Sequence, residues 1–331
     1  HHALAQQSKA GADVQEAVRW YRELLASYPA GTASAEAAGQ RFLLAELLTE
    51  DRRHDQAVLE YEQVAYGEPR IARGADAGYA ALLAYAQIEK AAAADQRAAL
   101  QRQAVASARR FADRYAGDAR AASVLTHAAE QLWALGEGTE AVAVARQALA
   151  LQPAPALRRV AWTVIAHQAF DAGKFGEAET AYAEVLALVG ERDAARAEFT
   201  ERQAAAIYKQ GEAARSAGQA RDAVGHFARI AALALPAGSA VRATAQFDAA
   251  AALIGLKDWS AAATALEAFR REHPDHALQA EVPQRLALAY LELDRKAHAA
   301  AEFEQVAAAA TDLALARGAL WQAAELYHAV A

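Results

Sequence analysis

The sequence predicts an all-α solenoid of about eight helical hairpins, and three observations predict it. Alanine supplies most of an apolar fraction of 55%, whereas aromatic residues make up only 8%, and the 331 residues include 18 glycines and 7 prolines. Alanine is the strongest helix former and lets helices approach closely, while turn-dense β folds need more helix breakers than this. A small residue, an apolar or aromatic residue four positions later and another three after that recur along the whole chain. Spacings of i, i+4 and i+7 fall on one helix face. The length exceeds what one compact core usually organises, and a repeat array accounts for it.

Taken in order, the pattern reads Ala17/Tyr21/Leu24, Ala57/Tyr61/Val64, Ala104/Ala108/Phe111, Ala141/Ala145/Ala148, Ala178/Tyr182/Val185, Ala223/Phe227/Ile230, Ala262/Leu266/Phe269 and Ala299/Phe303/Val306. In six copies a second small residue lies twelve positions upstream on its own amphipathic stretch: Ala45, Ala129, Ala166, Gly211, Ala250 and Ala287. Each such unit is therefore a pair of helices. Breakers such as Gly136-Glu137-Gly138, Asp171-Ala172-Gly173-Lys174 and Ala217-Gly218-Gln219 suit the tight turn between them. The stretch from Ala72 to Ala116 departs most, with a helix pair too long for the twelve-residue spacing. The runs Tyr28-Pro29-Ala30-Gly31 and His273-Pro274-Asp275-His276 read as turns between repeats.

The fifth unit carries Trp162-x2-Ile165-Ala166 and then Gly173-Lys174-Phe175-x2-Ala178-x3-Tyr182, which closely resembles the tetratricopeptide repeat (TPR). The resemblance covers nearly the whole chain, with the first, third and last units partial. It implies a right-handed α-solenoid whose first helices line a concave groove. The chain opens within a second helix, around Val14 to Ser27, and stops within a first helix, around Leu313 to Ala331. Residues 3–331 are accordingly expected to form a single superhelix excised from a longer protein, with His1-His2 as a tag remnant.

Composition removes several function classes. The chain has no cysteine, so disulfides, thiolate catalysis and cysteine zinc sites are excluded. A net charge of −7 disfavours nucleic acid as the main partner, and no apolar run approaches the ~20 residues that span a bilayer. His273 and His276 beside Glu272 and Asp275 would need one-face projection to hold a metal, which Pro274 interrupts, so no metal site is expected. Gly136-Glu137-Gly138 lacks the strand and lysine of a phosphate loop. No nucleophile elbow or zinc-protease motif occurs, and neither catalysis nor a cofactor is expected. Arg52-Arg53, Arg109-Arg110, Arg158-Arg159 and Arg270-Arg271 fall at unrelated repeat positions and read as solvated surface. Trp162, Tyr182, Phe227, Phe269 and Phe303 occupy packing positions.

Carrying the family's inward positions onto the six well-fitting units gives thirty groove residues, of which seven are acidic and one basic. The partner-binding candidates among them are Phe42, Glu46, Glu130, Trp133, His167, Phe170, Tyr208, Glu212, Arg215 and Phe247. Rings flanked by carboxylates suit a protein or peptide segment of basic and apolar character, the rings giving area and the carboxylates steering. The alternative is that these rings pack against neighbouring helices. The resemblance in style to TPR lipoproteins and Tol-Pal-associated proteins of the Gram-negative envelope implies a scaffold in envelope assembly or export, periplasmic or outer-membrane associated. A cytoplasmic regulator or chaperone, or an accessory domain of an enzyme, is the alternative.

Overall fold

A computed structural model describes residues 11–28 and 34–330, which form sixteen α-helices and contain no strand. In chain order these are α1 Gly11–Ser27, α2 Ala35–Glu50, α3 His54–Tyr66, α4 Gly74–Ala91, α5 Ala94–Arg114, α6 Ala121–Ala134, α7 Gly138–Ala150, α8 Pro155–Asp171, α9 Phe175–Leu188, α10 Ala195–Ser216, α11 Ala220–Ala231, α12 Ala240–Gly255, α13 Trp259–Glu272, α14 Val282–Glu292, α15 Lys296–Ala309 and α16 Leu313–His328. A short 3-10 turn, Ala277–Glu281, precedes α14. His1-His2, the Pro29 and Gly31 turn and Ala331 lie outside the described residues.

The chain divides into two compact units, residues 1–168 and 169–331. In the first, each helix from α1 to α6 packs on the next, and α6 packs on α7. In the second, the same order holds from α9 to α16. Both units are stacks of helical hairpins, so the all-α repeat architecture read from alanine content and periodicity is the one the chain adopts.

The small residues are where the helices touch. Ala45, Ala57, Ala129, Ala141, Ala223, Ala250, Ala262, Ala287 and Ala299 are all fully buried. Gly211 does the same service in α10, where the Phe227 ring lies so close to its Cα that even a methyl group would collide. Larger side chains fill the space around these contacts, including Phe247, Leu266, Phe269 and Leu286 in the second unit and Leu44, Leu48, Tyr61 and Val64 in the first. Burying each such side chain contributes roughly 1.5–3 kcal/mol.

The twelve-residue spacing has a backbone cause. Seven residues after the first-helix small residue, the chain enters the left-handed region at Arg52, Gly136, Gly173, Gly218, Lys257 and Asp294, with φ between 55° and 77°. The next N–H then reaches back to the last turn of the helix, as in Glu137 N to Leu132 O (2.9 Å) and Gln219 N to Ala214 O (2.9 Å). This double-bonded C-terminal cap satisfies orphan carbonyls and turns the chain sharply. The second helix begins two residues after the left-handed residue.

The pair α4 and α5 breaks that rule. These helices run to 18 and 21 residues, and they are joined by Ala92 and Ala93 in extended conformation rather than by a left-handed residue. The α5 helix is tied to the preceding hairpin instead, through Tyr66 Oη donating to Ser107 O (3.0 Å), Arg110 paired with Glu62 (3.1 Å) and Tyr115 Oη donating to Ala65 O. Burial pushes the Tyr66 hydroxyl up to about 12.

Candidate functional site

First helices present their inward positions in a fixed register around the small residue, and the structure sorts the ten candidate residues into two groups. Phe42 and Phe247, three residues before Ala45 and Ala250, are buried. The expectation of open groove rings is corrected for these two. Each is covered by an arginine from the next repeat: Arg73 lies 3.9 Å above the Phe42 ring and Arg285 lies 4.6 Å above Phe247. On the other side, Phe42 meets Tyr61 edge-on and Phe247 leans on Phe269. Both are packing residues, because a guanidinium stacked on a ring gains attraction while keeping its own hydration edge.

Tyr208 follows the same plan with a different cap. Its ring rests against Phe227, and its hydroxyl donates to Asp248 Oδ2 at 2.6 Å. Arg215 holds the other oxygen of Asp248 at 2.8 Å. Burial, reinforced by the Asp248 hydrogen bond and charge, pushes the Tyr208 hydroxyl above its ordinary value. Phe170 is partly covered and meets Phe175 edge-on.

The charges are also less one-sided than the residue tally implies. Arg73 approaches Glu46 (3.7 Å), Lys209 pairs with Glu212 (2.7 Å) and Arg285 pairs with Glu281 (2.8 Å). The basic partners come from positions outside the thirty, so the acidic bias of the groove is partly neutralised by its own rim. Exposed pairs of this kind contribute little to stability.

Among the ten candidates, Glu130 and Trp133 on α6 and Arg215 on α10 are exposed. Trp133 is 38% exposed, and its ring lies 5.2 Å from that of His167. Glu130 sits one turn earlier on the same helix, 4.0 Å from His127 Nδ1. His127 in turn faces a feature that the repeat pattern did not reveal. Between α4, α5 and α6 lies a cavity of about 200 Å³, lined mainly by Tyr79, Leu82, Leu83, Val124, His127 and Gln131. Ala104, Ala108 and Glu89 also line it, and Glu89 accepts from Gln101 Nε2 at 2.7 Å. Leu83 is 53% exposed at its mouth.

Small side chains of α5 form part of the cavity wall. Four residues after the small residue, α3, α9 and α11 carry Tyr61, Tyr182 and Phe227, each buried. Alanine stands in that place both in α5, at Ala108, and in α7, at the fully buried Ala145, so the alanine alone does not make a recess; in α5 it lies on the cavity wall, and the ring of that helix is Phe111, packed on Gly78 as Phe227 is on Gly211. The repeat series therefore carried no signal that singles out Leu82 and Leu83. Such a pocket, apolar with a few convergent polar groups, is the usual form of a recognition site.

Other sequence features resolve into structure. His273 and His276 pack around the Phe269 ring at 5.3 and 5.5 Å, and His273 Nε2 meets Gln246 Oε1 at 3.0 Å. Among the described residues no group of three His, Cys, Asp or Glu side chains converges as a metal site, and no helix is long and apolar enough to cross a membrane. The dibasic points serve different elements: Arg110 lies over Tyr66 at 4.0 Å, Arg109 pairs with Glu140 and Arg270 with Glu302.

No family model matches the chain, and no curated protein does. Many solved structures do. The complex of the TPR2AB domain of yeast Sti1 with pHSP90 aligns over 89% of this chain and 98% of its own, at 12% identity and a TM-score of 0.43. A tetratricopeptide repeat protein from Parabacteroides merdae aligns over 88% and 100%, at 11% identity and a TM-score of 0.36. The C-terminal part of a TPR repeat-containing protein from Cytophaga hutchinsonii aligns over 84% and 98%, at 14% identity and a TM-score of 0.37.

Proposed function

We propose that this chain is a non-catalytic scaffold that holds a partner polypeptide along its first helices, with the cavity between α4, α5 and α6 seating one apolar side chain of that partner. The observation that carries this reading is the cavity itself, an apolar hollow of about 200 Å³ with Leu83 exposed at its mouth. A volume of that order admits a leucine- or phenylalanine-sized group, and burying such a group contributes roughly 1.5–3 kcal/mol. Glu89 at one edge and Glu130 on the neighbouring face of α6 favour basic residues beside the apolar anchor. Trp133 extends the contact surface as a rigid amphipathic ring.

The test is selection from a displayed peptide library on the wild-type chain, followed by titration of the selected peptides against Leu83→Glu and Trp133→Ala. Both side chains are exposed, so neither change disturbs the core. The reading requires peptides with one large apolar residue near lysine or arginine, and at least tenfold weaker binding to Leu83→Glu. Equal binding to both variants would contradict it. The style of the repeats supports a place in bacterial envelope assembly or export, in the periplasm or at the outer membrane. Fractionation of cells expressing the full-length gene tests that placement.

A further inference from the structure

Helix α12 breaks the apolar pattern of the first helices at one position. Four residues before the small residue, α6 and α10 carry the buried Leu125 and Ile207, and α8 carries the partly buried Trp162. In α12 the residue at that place, four before Ala250, is Gln246, and one turn earlier on the same face stands Arg242. Both line a cavity of about 230 Å³ between α11, α12 and α13. Most of its wall is hydrocarbon from Phe227, Ile230, Ala249 and Ala265, and Glu272 is its one carboxylate. The polar groups differ in how they are engaged. Gln246 is held on both sides, its Oε1 meeting His273 Nε2 at 3.0 Å and its Nε2 donating to Glu272 Oε2 at 3.3 Å. Glu272 also accepts from Arg271 at 3.0 Å, which offsets part of its charge. Arg242 is the exception. Among the described residues its guanidinium makes one hydrogen bond, from Nη2 to Leu233 O at 2.9 Å, and no carboxylate pairs with it. Its Nε is buried and has no acceptor among those residues. A cationic N–H held away from water without an acceptor is costly, and an arriving anion removes that cost.

We propose that this cavity is a binding site for a small monocarboxylate with a short hydrocarbon body, its carboxylate accepting from Arg242 and its hydrocarbon resting against Phe227, Ile230 and Ala265. The lining selects that class. A guanidinium presents its N–H groups as a planar fork that matches the two oxygens of a carboxylate. The hydrocarbon walls disfavour a bare inorganic anion, which would lose hydration against them without gaining contacts. Glu272 disfavours a second negative charge on the guest. The volume lies between the ~150 Å³ that admits benzene and the ~300 Å³ at which drug-sized pockets begin, so the guest is small. The site is built wholly within the second unit and stands independently of the α4–α6 cavity.

The experiment titrates the full chain with isocaproate and, separately, with the uncharged isocaproamide, read by calorimetry and by methyl-resolved magnetic resonance. The expected result is saturable binding of the acid with shifts at the Ile230 methyl groups, at least tenfold weaker for the amide and at least tenfold weaker in Arg242→Gln. Arg242 also holds Leu233 O, so circular dichroism checks that the variant folds, and the comparison of acid with amide tests the need for charge on the wild-type chain alone. No saturable binding of the acid at millimolar concentration would overturn the proposal, as would equal binding of the amide or unaltered binding in a folded Arg242→Gln. Displacement of the acid by an equal concentration of inorganic phosphate would overturn it too, by making charge the sole determinant.

Discussion

Hairpin α12–α13 and the pair α4–α5 are built from the same alanine-rich material, yet the recesses beside them differ: the one at α12–α13, about 230 Å³, has Arg242, Gln246 and Glu272 in its lining, whereas the one at α4–α5, about 200 Å³, is lined mainly by Leu82, Leu83 and Val124. In α12–α13 the small residues Ala250 and Ala262 meet, Phe247 and Phe269 fill the space beside them, and Arg285 covers what remains. In α4–α5 the helices outrun the repeat, the left-handed turn is missing, the Phe111 ring packs on Gly78, and Ala104 and Ala108 line the recess. Regular and irregular pairs both border a recess, and the difference lies in the lining: charged and amide groups reach into the first, while small and aliphatic side chains dominate the second.

Substitutions can break that contrast at each level. Phe269→Ala, in the regular hairpin, should cost about 3–5 kcal/mol in urea unfolding, since it removes a fully buried ring from the second unit's core. Leu83→Glu, in the open region, should leave stability within about 0.5 kcal/mol of wild type. The turns come next. Gly218→Ala forces an alanine to φ +75° and should cost about 1–2 kcal/mol in the same assay. Lys257→Gly makes the reverse change at φ 60° and should gain about 0.5 kcal/mol, the relief of backbone strain being partly offset by glycine's chain entropy.

The smallest effect is a pH dependence. Burial holds the His273 imidazole below its ordinary value, with Glu272 opposing that shift. The unfolded chain therefore binds a proton more readily than the folded one. Stability from this group is present above about pH 6.5 and falls as acidification carries the pH below that value. His273→Gln should flatten the decline of the thermal midpoint between pH 7 and pH 5.

Much of the fold was legible because it is periodic. The small residues, the twelve-residue spacing and the breakers at Gly136, Gly173 and Gly218 each have a local physical cause, and local causes can be read along a chain. Three of the six turns escaped that reading, since Arg52, Lys257 and Asp294 adopt a conformation that their identities disfavour. The groove was harder. Phe42 and Phe247 stand at inward positions, but whether a ring there is open depends on Arg73 and Arg285, which belong to the next repeat and lie outside the inward set. The acidic tally counted inward positions only, and Lys209 and Arg285, three and four residues from Glu212 and Glu281 on the same helices, partly offset it. Side-chain reach between repeats has no period, so it does not show in a pattern of spacings.

The central claim is that the hollow between α4, α5 and α6 receives an apolar side chain of a partner. Methyl-resolved magnetic resonance of the chain during titration with a library-selected peptide measures this most directly. The account predicts saturable shifts at Leu82, Leu83 and Val124, lost in Ala108→Phe, where a ring occupies the space. Shifts confined to other methyl groups, or binding unaltered by Ala108→Phe in a folded chain, would contradict it.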